Sequence, residues 1–297
     1  MTTYDTRLDL VDTTVARHAG QFGSWEMISR APHPSLRPHV TRYCGYAEDT
    51  LAPLRRVEAA TTDIPLIVSF GPEIDIDGST HTSFVAGLHD GCTNTAHEGH
   101  QRGIQIDLSP QAAGMVLGVP MHELAHRVVA LDDVLGPGLA ERLHDAPSWD
   151  ARFELLDTLL ARRIEAAQAP PPSLEWAWRR LAASRGRLAV GELAREIGCS
   201  PRYLTLQFRD HLGMPPKPLA RILRFRHALD RLERDDGARF AEIAESCGYY
   251  DQAHLNRDFR AFAGAPPTDF LARRLPDGGG VSAEQFASVQ DVSAAAA

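Results

Sequence analysis

The feature of this chain that most limits its fold is an internal repeat in its last third. Leu193-Ala194-Arg195-Glu196-Ile197-Gly198-Cys199-Ser200, followed by Leu204, Phe208, Gly213 and Pro215, returns as Ile243-Ala244-Glu245-Ser246-Cys247-Gly248-Tyr249, followed by Leu255, Phe259, Gly264 and Pro266. Ala194 and Ala244 are 50 residues apart, whereas Leu204/Leu255 and Phe208/Phe259 are 51 apart. The one-residue difference falls in the turn, where an insertion is cheapest. Each repeated position has a physical reading. The alanines let two helices cross closely. Gly198 and Gly248 sit where a helix must stop and a left-handed backbone is needed. Ser200-Pro201 is an N-cap and first-turn signal. Leu204/Phe208 and Leu255/Phe259, spaced i and i+4, form a buried stripe. The pattern predicts a helix, a short turn and a second helix, twice over.

The second helix of each unit then presents its other face outward. In the first unit that face carries Arg202, Thr205, Leu206 and Arg209, with Tyr203 beside them; in the second it carries Ala253, Asn256, Arg257 and Arg260, with Gln252 alongside. Arg, Asn and Gln side chains can bond base edges bidentately in the major groove. A helix over roughly 217–232 joins the units. Its Lys217, Arg221 and Arg224 are expected to anchor phosphates, while Arg226 and Arg231 either do the same or pair with Asp230 and Glu233. Two such helices in one chain can enter successive major-groove segments about 34 Å apart.

Charge follows this division. The chain carries −8 overall, yet residues 173–275 are net +5 and residues 1–172 net −10. Of the 31 basic residues only Lys217 is a lysine. A basic region joined to an acidic one fits a polyanionic partner for the former alone. Ala169-Pro170-Pro171-Pro172-Ser173 marks the boundary, because consecutive prolines cannot continue a helix. The expected organisation is α+β: a β-rich sensory or dimerisation domain over 1–168 with helices at its end, a Pro-rich linker over 169–173, an all-α DNA-binding domain with two helix-turn-helix units over 174–275, and a disordered tail over 276–297. Helices are predicted over 121–129, 137–144 and 148–168, with another opening at Ser109-Pro110. Short runs such as Ile64–Phe70, Glu73–Ile76 and Ile104–Leu108 predict strands. No apolar run is long enough to span a bilayer, and the polar, acidic start is no signal peptide. The four scattered cysteines suit a reducing compartment, so a cytoplasmic location is expected.

One motif points elsewhere. His122-Glu123-Leu124-Ala125-His126 matches HExxH, which on a helix would set two imidazoles on one face to bind zinc, with Glu123 as general base. A zinc-dependent hydrolase fused to a DNA-binding module is therefore the competing reading. Against it, the motif opens a helix straight after Gly118-Val119-Pro120, and no third ligand follows at a family spacing; Glu141 and His144 are merely nearby. The preferred account is a solvated helix face with no metal, no cofactor and no catalytic residue. His89, His97 and His100 near Cys92 are read as loop histidines, with a metal or sensor site as the alternative. Trp176 and Trp178 are expected to dock the first helix of the basic domain, and Cys199 and Cys247 to be small apolar fillers of the two turns.

On these residues the basic region resembles the AraC/XylS family of transcriptional regulators. The stretch Ile243-Ala244 … Cys247-Gly248-Tyr249-Tyr250-Asp251-Gln252-Ala253-His254-Leu255-Asn256-Arg257 … Phe259-Arg260 … Gly264 … Pro266 is the most diagnostic part. The resemblance covers roughly 175–275 and implies a seven-helix domain bound to double-stranded DNA, with base contacts at Arg202, Thr205, Leu206, Gln252, Ala253, Asn256 and Arg257. Leu206 departs from the arginine often found there, Tyr249 stands in for phenylalanine and Phe270 for tyrosine. Less specifically, Val85-Ala86-Gly87-Leu88 and Leu131-Asp132-Asp133-Val134-Leu135-Gly136 resemble the β-rich domain of some members, although no sugar-binding motif carries over. The resemblance further implies a small-molecule effector or a second copy acting through the N-terminal domain, and RNA polymerase as a partner.

Overall fold

The computed structural model describes residues 13–20, 23–234, 239–274 and 281–282. Its first part is built from two facing antiparallel sheets. The larger contains β1 (Thr13–Gly20), β2 (Gly23–Arg30), β3 (Val40–Thr50), β5 (Ile64–Ser69), β8 (Phe84–Ala86), β10 (His100–Leu108) and β11 (Val128–Ala130), in the order β1-β2-β3-β10-β5-β8-β11. The smaller contains β4 (Leu54–Glu58), β6 (Ile74–Ile76), β7 (Ser79–His81), β9 (Thr93–His97) and β12 (Val281–Ser282), in the order β12-β4-β9-β6-β7. The central pair is β3 with β10, in a register that sets Glu48 opposite Gln101 and Arg42 opposite Asp107. Alternation along these strands gives one face the buried Ile104, Ile106 and Tyr43, and turns Arg42, Cys44, Tyr46, Glu48 and Gln105 toward the space between the sheets.

Helices close the open side of the larger sheet. α1 (Pro110–Leu117) starts as expected, with the Ser109 hydroxyl accepting from the Ala112 N–H at 3.3 Å. α5 (Trp149–Ala166) lays Phe153 against Tyr43, ring centroids 5.7 Å apart. Its Trp149 ring lies so close to Gly45 that a Cβ there would collide with it. Between them the chain departs from the sequence pattern. The helix expected over 121–129 is a single turn, α2 (Met121–Leu124), after which Val128 and Val129 join β8 as β11. Two consecutive β-branched residues opposite Ala86 and Val85 favour the sheet over a second helical turn. α3 (Leu131–Leu135) and α4 (Leu139–Asp145) follow, the latter two residues later than predicted.

The second part has the seven helices that the resemblance implies: α6 (Pro172–Ala183), α7 (Val190–Glu196), α8 (Pro201–Leu212), α9 (Pro216–Glu233), α10 (Phe240–Ser246), α11 (Gln252–Ala263) and α12 (Pro267–Ala272). α6 begins at Pro172, inside the segment read as linker, because a proline suits the first helical turn. Trp178 is buried under it, and Trp176 lies half-buried below the Arg180 guanidinium. The predicted tail falls largely outside the described residues, but Val281 and Ser282 are a correction: they pair with Val57 and Arg56 of β4, and Val281 is fully buried. One hydrophobic cluster runs through both parts.

α9 is the axis of the helical part. Phe225 sits at its centre, fully buried, with the Phe259 and Phe262 rings of α11 at 4.9 and 5.4 Å. Phe225→Ala is expected to lower the free energy of unfolding by about 3–5 kcal/mol. Urea denaturation followed by circular dichroism measures that loss, and a change below about 1 kcal/mol would contradict the assignment of this cluster as the anchor.

Candidate nucleic-acid interface

The two units superimpose hydrogen bond for hydrogen bond. In the first turn the Cys199 N–H donates to Ala194 O at 3.0 Å and the Gly198 N–H to Arg195 O at 3.2 Å; in the second, Tyr249 donates to Ala244 O at 2.9 Å and Gly248 to Glu245 O at 3.0 Å. Gly198 and Gly248 take the left-handed conformation expected of them, at φ 72° and 82°. The following helices are capped alike. Ser200 Oγ accepts from the Tyr203 N–H at 3.1 Å, and Asp251 Oδ1 from the His254 N–H at 2.7 Å. Glycine to cap is two residues in the first unit and three in the second. The extra residue is Tyr250, which stands 92% exposed at the tip of the turn. Sequence reasoning singled out no role for it, although the offset of the repeat already isolates it.

Leu204, Phe208 and Leu212 of α8, and Leu255, Phe259 and Phe262 of α11, are buried. The opposite faces are open. Arg202, Tyr203, Leu206 and Arg209 are exposed on α8, with Tyr203 at 52% and Leu206 at 41%. Thr205 is half-buried, and its hydroxyl donates to Pro201 O at 2.8 Å. On α11, Gln252, Ala253, Arg257 and Arg260 are exposed and Asn256 half-buried. The Arg257 Nε rests on Ala253 O at 3.4 Å.

The three residues expected to anchor phosphates separate. Lys217 is exposed in the first turn of α9. Arg221 instead donates to Asp258 Oδ1 at 2.8 Å and lies over the Phe262 ring; Asp258 is only 2% exposed. A buried carboxylate without its cation is strongly destabilising, so Arg221 braces α9 against α11 rather than standing free for DNA. Arg224 packs over the Tyr249 ring at 5.8 Å and steadies the second turn. Arg187, which sequence reasoning passed over, is exposed beside Gly248.

Comparison with known proteins agrees with this geometry. Residues 193–273 match the family described as "Helix-turn-helix domain", and residues 29–130 match a "Domain of unknown function (DUF6597)". Over 219 residues the chain is 28% identical to the HTH-type transcriptional regulator GlxA of Rhizobium meliloti (strain 1021), covering 67% of this chain and 66% of that protein, so the match spans just under two thirds of the relative's length. The helical region thus carries an AraC-type helix-turn-helix domain. Among solved structures it is similar to the C-terminal domain of AraT, a response regulator from Geobacillus stearothermophilus (24% identity, 36% of this chain and 90% of that one, TM-score 0.34). It is also similar to ToxT from Vibrio cholerae (8% identity, 77% and 97%, TM-score 0.46). The chain thus sets a helical, AraC-type DNA-binding domain behind a β-rich one. Among the described residues no helix is long and apolar enough to cross a membrane.

The HExxH motif of this chain does not assemble. α2 ends at Leu124, and His126 follows with φ 58°. His122 pairs with Asp210 of α8 at 3.4 Å, and His126 with Asp90 at 3.5 Å. The other histidines are also spoken for separately: His97 by Glu48 at 3.2 Å, His100 by Asp49 at 2.7 Å, while His89 meets the edge of the His126 ring. Among the described residues no three His, Cys, Asp or Glu side chains are placed to share a metal ion. Cys247 is buried in its turn as expected, whereas Cys199 is half-buried.

A cavity of about 610 Å³ lies between the sheets and opens onto the helical domain. Ile67, Ile76 and Phe84 line its apolar waist, and Arg226 and Leu229 of α9 and Phe270 of α12 close one side. At that side Asp63 faces Asp107, which Arg42 holds at 2.8 Å, while the Thr41 hydroxyl donates to Asp63 at 3.1 Å. Burial, and then the Asp107 charge, push the Asp63 carboxyl up to about 6, against the pull of Thr41, Arg226 and Arg42. In the unfolded chain it titrates near about 3.9. Between those values the folded protein holds a proton that the unfolded chain has lost, so this group's contribution to stability falls as pH rises through that window. Asp63→Asn is expected to be more stable than the native protein at pH 7, with the gain vanishing toward pH 4. Urea midpoints at the two pH values test this, and equal midpoints at pH 7 would refute it.

Proposed function

We propose that α8 and α11 enter two successive major-groove segments of an operator, with Arg202, Tyr203, Thr205, Leu206 and Arg209 serving the first segment and Gln252, Ala253, Asn256, Arg257 and Arg260 the second. The observation that carries this is the matched construction of the two units: the same turn bonds and caps, the same buried stripe, and an open polar face on each. Arg257 and Gln252 have the donors for purine edges, and Leu206 offers apolar contact to a thymine methyl. Lys217, with Arg187 and Tyr250 near the second turn, meets the backbone, which positions the protein without reading sequence. In this reading residues 1–168 are the sensory domain, joined through the Pro-rich segment to the DNA-binding domain over 174–275. The 610 Å³ cavity takes a small-molecule effector, since its size falls in the range of ligand pockets and its wall combines an apolar waist with a few charged groups. Effector occupancy, or pairing with a second copy, then sets how the DNA-bound protein meets RNA polymerase in the cytoplasm. No catalytic step is assigned.

Selection and sequencing of genomic fragments retained by the purified protein at about 0.15 M salt, where purely electrostatic binding is weak, is the direct test. A recurrent motif of two blocks about one helical turn apart is expected. Asn256→Ala and Arg257→Ala should each cost about 1–3 kcal/mol at the selected site and relax preference within one block. Site affinity unchanged by both would remove these side chains from base reading.

A further inference from the structure

We infer that the N-terminal domain is a spacer that fixes the distance and rotation between α8 and α11, with Met121, Val57 and Cys92 as the positioning residues. The proposal rests on the two-segment reading above. It comes from the place where the two domains touch. Gly213 and Gly264 are the matched glycines of the repeat, one at the C-terminal end of each reading helix. At both, a Cβ would meet the N-terminal domain: 3.0 Å from Met121 O at Gly213, and 3.2 and 3.4 Å from Val57 Cγ1 and Cys92 Sγ at Gly264. The domain therefore seats on equivalent points of the two units.

Backbone chemistry strengthens both seats. The last carbonyls of a helix lack partners inside it. In α11 two of them are supplied from the N-terminal domain: the Ala60 N–H donates to Phe262 O at 2.8 Å, and the Cys92 N–H to Ala261 O at 3.3 Å. At the end of α8, Met121 is buried, and His122 reaches Asp210 at 3.4 Å. These contacts sit beyond the first two turns of each helix, where Arg202 to Leu206 and Gln252 to Arg257 lie, so the outward faces stay free. A packed body touching two helices at fixed points holds both their separation and their relative rotation, because protein interiors deform little.

DNA makes such spacing legible. One added base pair moves the second block by about 3.4 Å and turns it by about 35°. A rigidly spaced pair of helices therefore favours one block spacing, and a loosened pair accepts several. The experiment uses the full-length chain and a set of operators whose two blocks are moved apart or together by one and two base pairs, with each block also scrambled singly. The native protein is expected to prefer one spacing by about tenfold. Met121→Ala should flatten that preference to about threefold or less, and Cys92→Phe, which pushes the second unit outward, should shift the optimum. His122→Ala, at the exposed rim of the same contact, replaces Met121→Ala if the latter melts early. A spacing profile that folded variants leave unchanged overturns the proposal and assigns the spacing to α9 alone. A uniform rise in affinity at every spacing also overturns it, because the contact would then be a restraint on binding. Binding indifferent to scrambling one block defeats the two-segment reading itself, a result distinct from both.

Discussion

The junction on which the rest depends is the packing of α9 against α11. Phe225 meets Phe259 and Phe262, and Arg221 closes the edge by pairing with the buried Asp258. The two parts of this junction do different physical work. The rings supply burial, roughly 1.5–3 kcal/mol for each side chain removed from water. The ion pair supplies direction more than stability, since taking two charges out of water offsets most of their attraction. Its value lies in what happens if it fails: an unpaired carboxylate inside a hydrophobic cluster cannot be tolerated, so α11 is held in one rotational setting about its axis. That setting points Gln252, Asn256 and Arg257 away from the core.

The same economy appears in how charge is distributed. Several cations that a sequence alone would offer to DNA already have partners within the chain: Arg221 with the buried Asp258, Arg274 with Glu233, Arg224 over Tyr249, and, on the surface, Arg180 with Glu196. What remains on the outward faces is a smaller set whose members sit on the two repeated helices and their turns. A net +5 domain is therefore less a uniform electrostatic footprint than a set of intramolecular pairs around a few exposed donors, which suits recognition by position better than attraction alone.

Much of the helical domain was legible in the sequence because its information is local. A helix start needs only a capping oxygen and a proline, as at Ser200-Pro201; a helix stop needs only a glycine at the right place, as at Gly198 and Gly248. The repeat then supplied the tertiary pairing by showing which positions share a role. The β-rich domain yielded its class and several strands, but not its pairing order, because contacts such as β5 with β10 or β12 with β4 join residues far apart in sequence and leave no local mark. The cavity was illegible for the same reason. The pairing of Arg221 with Asp258 was illegible because its partner lies 37 residues away, and neither local charge nor helical spacing reveals it.

HExxH shows why a motif is only as good as the element that carries it. Two histidines four apart share a face only while the helix continues through both. Here Val128 and Val129 compete for the same stretch of chain, and the sheet wins, since β11 completes the edge beside β8 while a longer helix would gain only solvated turns. The helix stops at Leu124, His126 is turned into the left-handed region, and the two imidazoles part toward different acids. The segment nevertheless keeps a role that its chemistry alone would not suggest. Ending the helix after one turn leaves Met121 and His122 at the C-terminal end of α8, so the first histidine of the zinc-like motif, with Met121 beside it, instead forms part of the contact through which the β-rich domain reaches the first helix-turn-helix unit.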